Sequence, residues 1–157
     1  MALDFAQQFR NAALKINAQV NRVAEEVVVA VGQSVVEKSV VGDASLWASP
    51  APAGYEGGQF KGSWHHSMDA PSSDTSATID ASGESSMAEI RGGAAISPIG
   101  KHYITNNLPY ALRVERGYID GPKIGTSHLK VAVMQAPVGR TEVEFAGIVR
   151  EVVAKNT

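Results

Sequence analysis

The sequence predicts an α+β fold in a single domain spanning residues 1–157: a long N-terminal helix and a C-terminal helix packed on a small, mainly antiparallel sheet of about three to five strands. Three observations predict it. At 100° per residue, Ala2 to Lys38 puts Phe5, Phe9, Ile16, Val20, Val23 and Val27, with five alanines and Val31, in one arc about 120° wide that holds no polar residue. Near the other end, Phe145, Ile148, Val149 and Val152 form a shorter stripe at helical spacing. Between the two lie short runs of alternating apolar and polar residues separated by Gly, Pro and Asn, the pattern of short strands and turns.

The first helix starts at Asp4, a capping residue with Gln7 three positions later. Over Ala2 to Lys38 it would be roughly 50 Å long at 1.5 Å per residue, more than a domain of this size needs for its own core. Part of it is therefore expected to pack on something else, although the whole arc lying on the domain's own sheet is the simpler alternative. The Val-rich stretch Val27 to Val41 also has strand composition, because β-branched side chains lower helix propensity.

Residues 41–58 lose all periodicity in a run of Gly, Pro, Ala and Ser, and read as a loop longer than most connections. Trp47 and Tyr55 within it either dock a partner or fold back on the core. Phe60 to Trp64 reads as a helical turn, and Trp64 to Met68 alternates as a strand. Thr75 to Ala81 alternates as well, after a turn at Pro71 to Asp74, so the two runs read as a hairpin. Ser86 with Glu89 has the spacing of a capping box ahead of Met87, Ile90 and Ala94, a short helix weakened by Gly92 and Gly93.

Tyr103 to Thr105 has strand composition, ended by the turn residues Asn106 and Asn107. Pro109 suits the first position of a short helix to Arg116, with Gly117 as its left-handed stop. Residues 118–134 turn at Asp120-Gly121-Pro122, and Leu129, Val131 and Val133 then alternate as a strand. Thr141 with Glu144 is a further capping box, opening a final helix that ends near Lys155.

Three of these stretches carry a resemblance. The run YITNNLPYALRVERG (103–117) has a strand, an Asn-rich turn, Pro-Tyr-Ala, then Glu two residues before Gly; GQFKGSW (58–64) and QAPVG (135–139) accompany it in order. Together they resemble the tail-completion proteins of tailed bacteriophages, the small neck or minor tail components that join head to tail. The resemblance spans roughly Gly58 to the C-terminus. It departs from the family in the loop, where a short Pro-x-Asp-x-Gly turn is usual, and in 118–134, which is longer than usual and reads as an insertion.

What the resemblance implies is a structural virion protein at the neck, assembled as a homo-oligomeric ring, typically a hexamer. The ring would sit between the head connector or portal adaptor and the tail terminator or tail tube, with DNA only in transit. The implied interface residues are Trp47 and Tyr55 in the loop; Tyr110, Glu115 and Arg116 in the signature; and Tyr118, Ile119, Lys123 and His128 in the insertion. For Glu115 an ion pair with an arginine is expected rather than acid-base work. A tail-terminator ring shares the same plan and is the alternative within this class.

Composition narrows the rest. A net charge of −2, from 14 Lys and Arg against 16 Asp and Glu, leaves no surplus to neutralise many phosphates. Cysteine is absent, so disulfides, thiolate metal sites and Cys nucleophiles are excluded together. Asp4 and the lack of a long apolar run lead to an expectation of neither signal peptide nor membrane span. His65 and His66 are adjacent and would face opposite sides of a strand, while His102 and His128 lie far along the chain, so no metal, cofactor or catalytic residue is expected. A small metal-dependent hydrolase using these histidines is the rival from another class, and a monomeric binding module a third.

Overall fold

Asp4 starts the chain's longest element: its carboxylate accepts the Gln7 N–H at 2.8 Å, satisfying one of the donors that a helix leaves unpaired at its first turn. From there α1 runs unbroken over Phe5–Lys38, in the computed structural model that describes residues 4–42, 44, 50, 53–112 and 140–156, the side chains of 140–144 excepted. The remaining elements are β1 (His65–Met68), α2 (Glu84–Ile96), β2 (His102–Thr105) and α3 (Arg140–Asn156). This is the α+β plan, with three helices packed on a small antiparallel sheet.

α1 is helical through the Val-rich stretch, so the strand alternative for Val27 to Val41 does not hold. Val36 is fully buried there, packed with Met87 and Ile90 of α2 and with the flanks of Val28, Val29, Trp64 and Ile104. Burial on this scale overrides the modest β-branched penalty. The two helices approach closely because of Gly32, where a methyl group would lie 2.7 Å from Ile90 Cγ2. Ser39 ends the helix, its hydroxyl donating to Val35 O at 2.8 Å.

β1 pairs antiparallel with β2 in the register His65 with Thr105, His66 with Ile104, Ser67 with Tyr103 and Met68 with His102. The expected hairpin between Trp64 to Met68 and Thr75 to Ala81 is therefore corrected: residues 71–80 lie outside any helix or strand, and Ile79 is 55% exposed. The segment is held to the 58–63 turn instead of to a strand. Ser63, itself buried, accepts the Thr78 N–H at 3.0 Å, and Gly58 and Gly62 leave the room the segment occupies. Two strands, not three to five, are present among the described residues. The strand expected over Leu129 to Val133 lies outside them.

A second correction concerns the start of α2. Ser86 is not its cap; the helix begins at Glu84 with Gly83 in the left-handed region (φ 78°), and Asp80 does the capping. One oxygen of Asp80 accepts the N–H groups of Ser82 and Gly83 at 2.8 and 3.0 Å, the other that of Ser85 at 2.8 Å. The Ser82 hydroxyl first, then the Ser85 N–H and hydroxyl and the Gly83 N–H, hold the Asp80 carboxyl far below the usual carboxylate range against a smaller opposing effect of burial.

At the C-terminal end, α3 covers Arg140–Asn156, so Thr141 lies within the helix rather than ahead of it. Val152 is buried, Ile148 and Val149 half-buried, and Phe145 is exposed. Its last residue is fastened to α1: Gln19 donates to Asn156 O at 2.8 Å, and the Asn156 amide donates to Glu26 Oε2 at 2.6 Å. α1 is thus half clothed. Residues 23–31 are partly covered, whereas Phe5, Phe9, Ile16 and Val20 are between 51% and 82% exposed. Among the described residues no helix is long and apolar enough to cross a membrane.

Candidate functional site

The two described stretches that carry the resemblance fold onto each other. In the first, Gly58 has φ 104°, which an L side chain rarely adopts, and Gly62 N–H donates to Gly58 O at 2.8 Å to close a tight turn over Gln59 to Gly62. That turn aims Phe60 inward. In the second, β2 ends at Thr105, and Asn106 donates to Phe60 O at 2.8 Å while its own oxygen accepts the Leu108 N–H at 3.3 Å. Asn107 reaches the other way, donating to Ser72 O and Asp74 O.

Phe60 and Leu108 form a small core of their own, flanked by Val40, Trp64, Tyr110 and Ala111. Phe60 meets Trp64 edge to face with ring centroids 5.6 Å apart, and Tyr110 at 6.4 Å. The Trp64 indole N–H donates to Ser39 Oγ at 2.8 Å, which ties this cluster to the end of α1. Tyr110 donates from its hydroxyl to Gln59 Oε1 at 2.9 Å. Its phenol is pushed up from the ordinary value by burial first and by nearby Tyr55 second.

The long loop closes at its base beside this cluster. Gly58 N–H donates to Val41 O at 2.5 Å, and Gly42, with φ 85°, lies against the Tyr55 hydroxyl. Tyr55 is 36% exposed, so it sits at the rim rather than in the core. Of the expected interface residues, Tyr55 and Tyr110 are therefore brought to one place. Trp47, Glu115, Arg116, Tyr118, Ile119, Lys123 and His128 lie outside the described residues; of the short helix expected over Pro109 to Arg116, Pro109 and Tyr110 form a turn, Ala111 and Leu112 are helical, and the rest lies outside the described residues.

Chain distance did not separate His102 from the histidine pair. His65 and His66 go to different partners, as strand alternation requires: His65 lies 3.3 Å from Ser76 O and 3.4 Å from Glu89 Oε2, while His66 Nε2 lies 2.9 Å from His102 Nδ1. His102 Nε2 is 3.3 Å from Pro98 O, so with that nitrogen as the donor, Nδ1 accepts the His66 proton. Gly93 of α2 makes room for the His66 ring; a methyl group there would overlap it. Burial, then His102, lower the acid range of His66, and Glu89 opposes them. Among the described residues no three His, Asp or Glu side chains converge in a way that could hold a metal ion.

Sequence reasoning missed two residues that order this region. Ser86, fully buried on α2, donates to Lys61 O at 3.1 Å and accepts the Trp64 N–H at 3.0 Å. Glu89 accepts the His66 N–H at 2.8 Å. The Ser-x-x-Glu spacing flagged both, but for a cap; they instead brace the Gly58 to Trp64 turn and β1 against α2. No family model matches the chain, and no curated protein or solved structure matches it either.

Proposed function

We propose that the chain is a tail-completion, or neck, protein of a tailed bacteriophage, a structural virion component with no enzymatic role. In this reading copies assemble as a ring, six in the usual arrangement, between the head connector and the tail terminator or tail tube. The observation that carries it is the packing of Gly58 to Trp64 on Tyr103 to Ala111 through Phe60, Trp64, Leu108 and Tyr110, with Asn106 bonded to Phe60 O. Two separately recognised stretches make one folded unit, as a shared family signature would require. A ring uses heterologous contacts that close by rotation, and the loop at 41–58 and the insertion at 118–134 are the segments available for neighbours above and below. The balanced charge suits a lumen through which DNA slides without being held.

The test is genetic. Removing the protein from its phage is expected to yield filled heads and finished tails that remain unjoined. Tubes of uncontrolled length would instead identify a tail terminator. Normal particles would remove the neck reading, and turnover of a substrate by purified, metal-loaded protein would favour a hydrolase built on the histidines.

A further inference from the structure

Along α1 runs a seam whose first half no other described element covers. Ala6, Phe9, Ala13, Ile16, Val20, Val23, Val27 and Ala30 follow one another at alternating steps of three and four, the heptad spacing of a helix that packs along another helix. Its second half, Val23 to Ala30, is partly covered in the fold, and its first half is bare. An isolated helix of this length is marginal in water, because most helical stability comes from covering the apolar face. With Phe5 beside it, the bare half offers on the order of 500 Å² per chain, so a pair of copies reaches the ~1,000 Å² of a small specific interface.

We propose that this face, residues 5–20, is where a second copy of the chain docks, the α1 helices lying parallel and in register. The idea goes beyond the ring reading: the uncharged seam, which can pack against its own copy, and the area set against what a small specific interface needs carry the choice of a second copy. Parallel, in-register packing is what any rotation axis running along the helices generates, for two copies or more. The flanking positions permit it. Parallel packing sets Phe5 against Arg10 and Ala12 against Asn17 of the next copy, with no like charges opposed. Lys15 and Arg22 point away from the seam, and small Ala6 and Ala13 alternate with large Phe9 and Ile16, so two copies can interdigitate.

Because the chain has no cysteine, one introduced thiol reports on the contact cleanly. Ala13→Cys sits on the seam and Lys15→Cys off it. With a short bis-maleimide linker at about 100 µM chain, where a weak pair is populated, Ala13→Cys is expected to form covalent dimers at least ten times faster than Lys15→Cys. Adding Phe9→Ser and Ile16→Ser should abolish the difference while the thermal midpoint of the domain stays unchanged. Equal rates at the two positions, or no dimer at either, overturn the proposal. If dimers are absent and the double serine variant also melts lower, the chain's own residues 113–139 cover the face. If dimers appear only when another virion protein is added, the occupant is that protein. None of these readouts uses a particle, so a chain that dimerises through Ala13 yet is missing from the neck would sink the neck reading and leave the interface standing.

Discussion

Gly93 and His66 meet where α2 crosses β1, and the absence of one side chain there sets the position of another. A methyl group at Gly93 would overlap the His66 ring. Alanine is ordinarily the better helix former, by about 1 kcal/mol over glycine. Here the clash reverses the sign, and Gly93→Ala is expected to destabilise by about 1–3 kcal/mol, the range of an overpacked site; urea unfolding measures it. His66 also makes stability depend on pH. Its folded acid range lies below the ordinary 6.5, so the unfolded chain takes up the proton first. The contribution is whole above pH 6.5 and is lost as the pH falls through and below that value. The urea midpoint should therefore drop between pH 7.5 and 5.5, and His66→Gln should flatten that drop. Asp80 acts in a separate window, because its lowered carboxyl costs stability only below its ordinary 3.8. At neutral pH, Asp80→Ala is expected to cost about 1 kcal/mol, as loss of a helix cap does, with Asp80→Asn retaining part of the effect.

At the scale of elements, α2 is fixed less by its own pattern than by what it braces. Ser86 serves Trp64 N–H and Lys61 O together, so Ser86→Ala leaves a buried donor without a partner and should cost about 1–3 kcal/mol. The same change at exposed Ser82 should cost less, and hydrogen exchange at the Trp64 amide would report the loss locally. Elements with strong internal periodicity were legible from sequence alone. α1 with its cap at Asp4 and β2 fall where spacing and capping residues put them; the turn expected over Phe60 to Trp64 is found at Gln59 to Gly62, and α3 follows its apolar stripe but takes in Thr141. What was not legible was partnership. Alternation marks Thr75 to Ala81 as well as it marks Trp64 to Met68, but alternation does not name a pairing strand. Thr75, Ala77 and Ala81 have too little bulk to anchor a buried face, and β1 found β2 some thirty residues further on. Asp80 was within reach of sequence reasoning: an Asp followed by Ser at two and five positions has the makings of a side-chain turn. Ser86 was not, because a serine in the first turn of a helix looks like a cap until the Trp64 amide is seen to need it.

At the scale of the whole molecule, the fold divides into a packed end and a projecting one. Val36, Met87, Ile90 and Trp64 join the α1 C-terminal half, α2 and the sheet, and the Phe60 cluster continues that packing to Tyr110. The first four turns of α1 extend from it with an apolar face in water. Such a division suits a part whose interfaces are its function. If, as the neck reading proposes, the insertion at 118–134 contacts neighbouring virion proteins, deleting Tyr118 to Lys130 should leave the circular-dichroism spectrum and unfolding midpoint close to those of the full chain while abolishing head-tail joining. Joining that proceeds normally in that variant would assign the contact elsewhere. Of the candidate interface, only the Tyr55 and Tyr110 rim is placed by the described residues; the sequence singled out Tyr55 for its aromatic bulk in a loop and Tyr110 for its place in the Pro-Tyr-Ala run. The most direct test of the account is a density map of the intact particle with the chain located in it: a ring of copies at the junction below the capsid is the predicted result, and a junction built without this chain would contradict it.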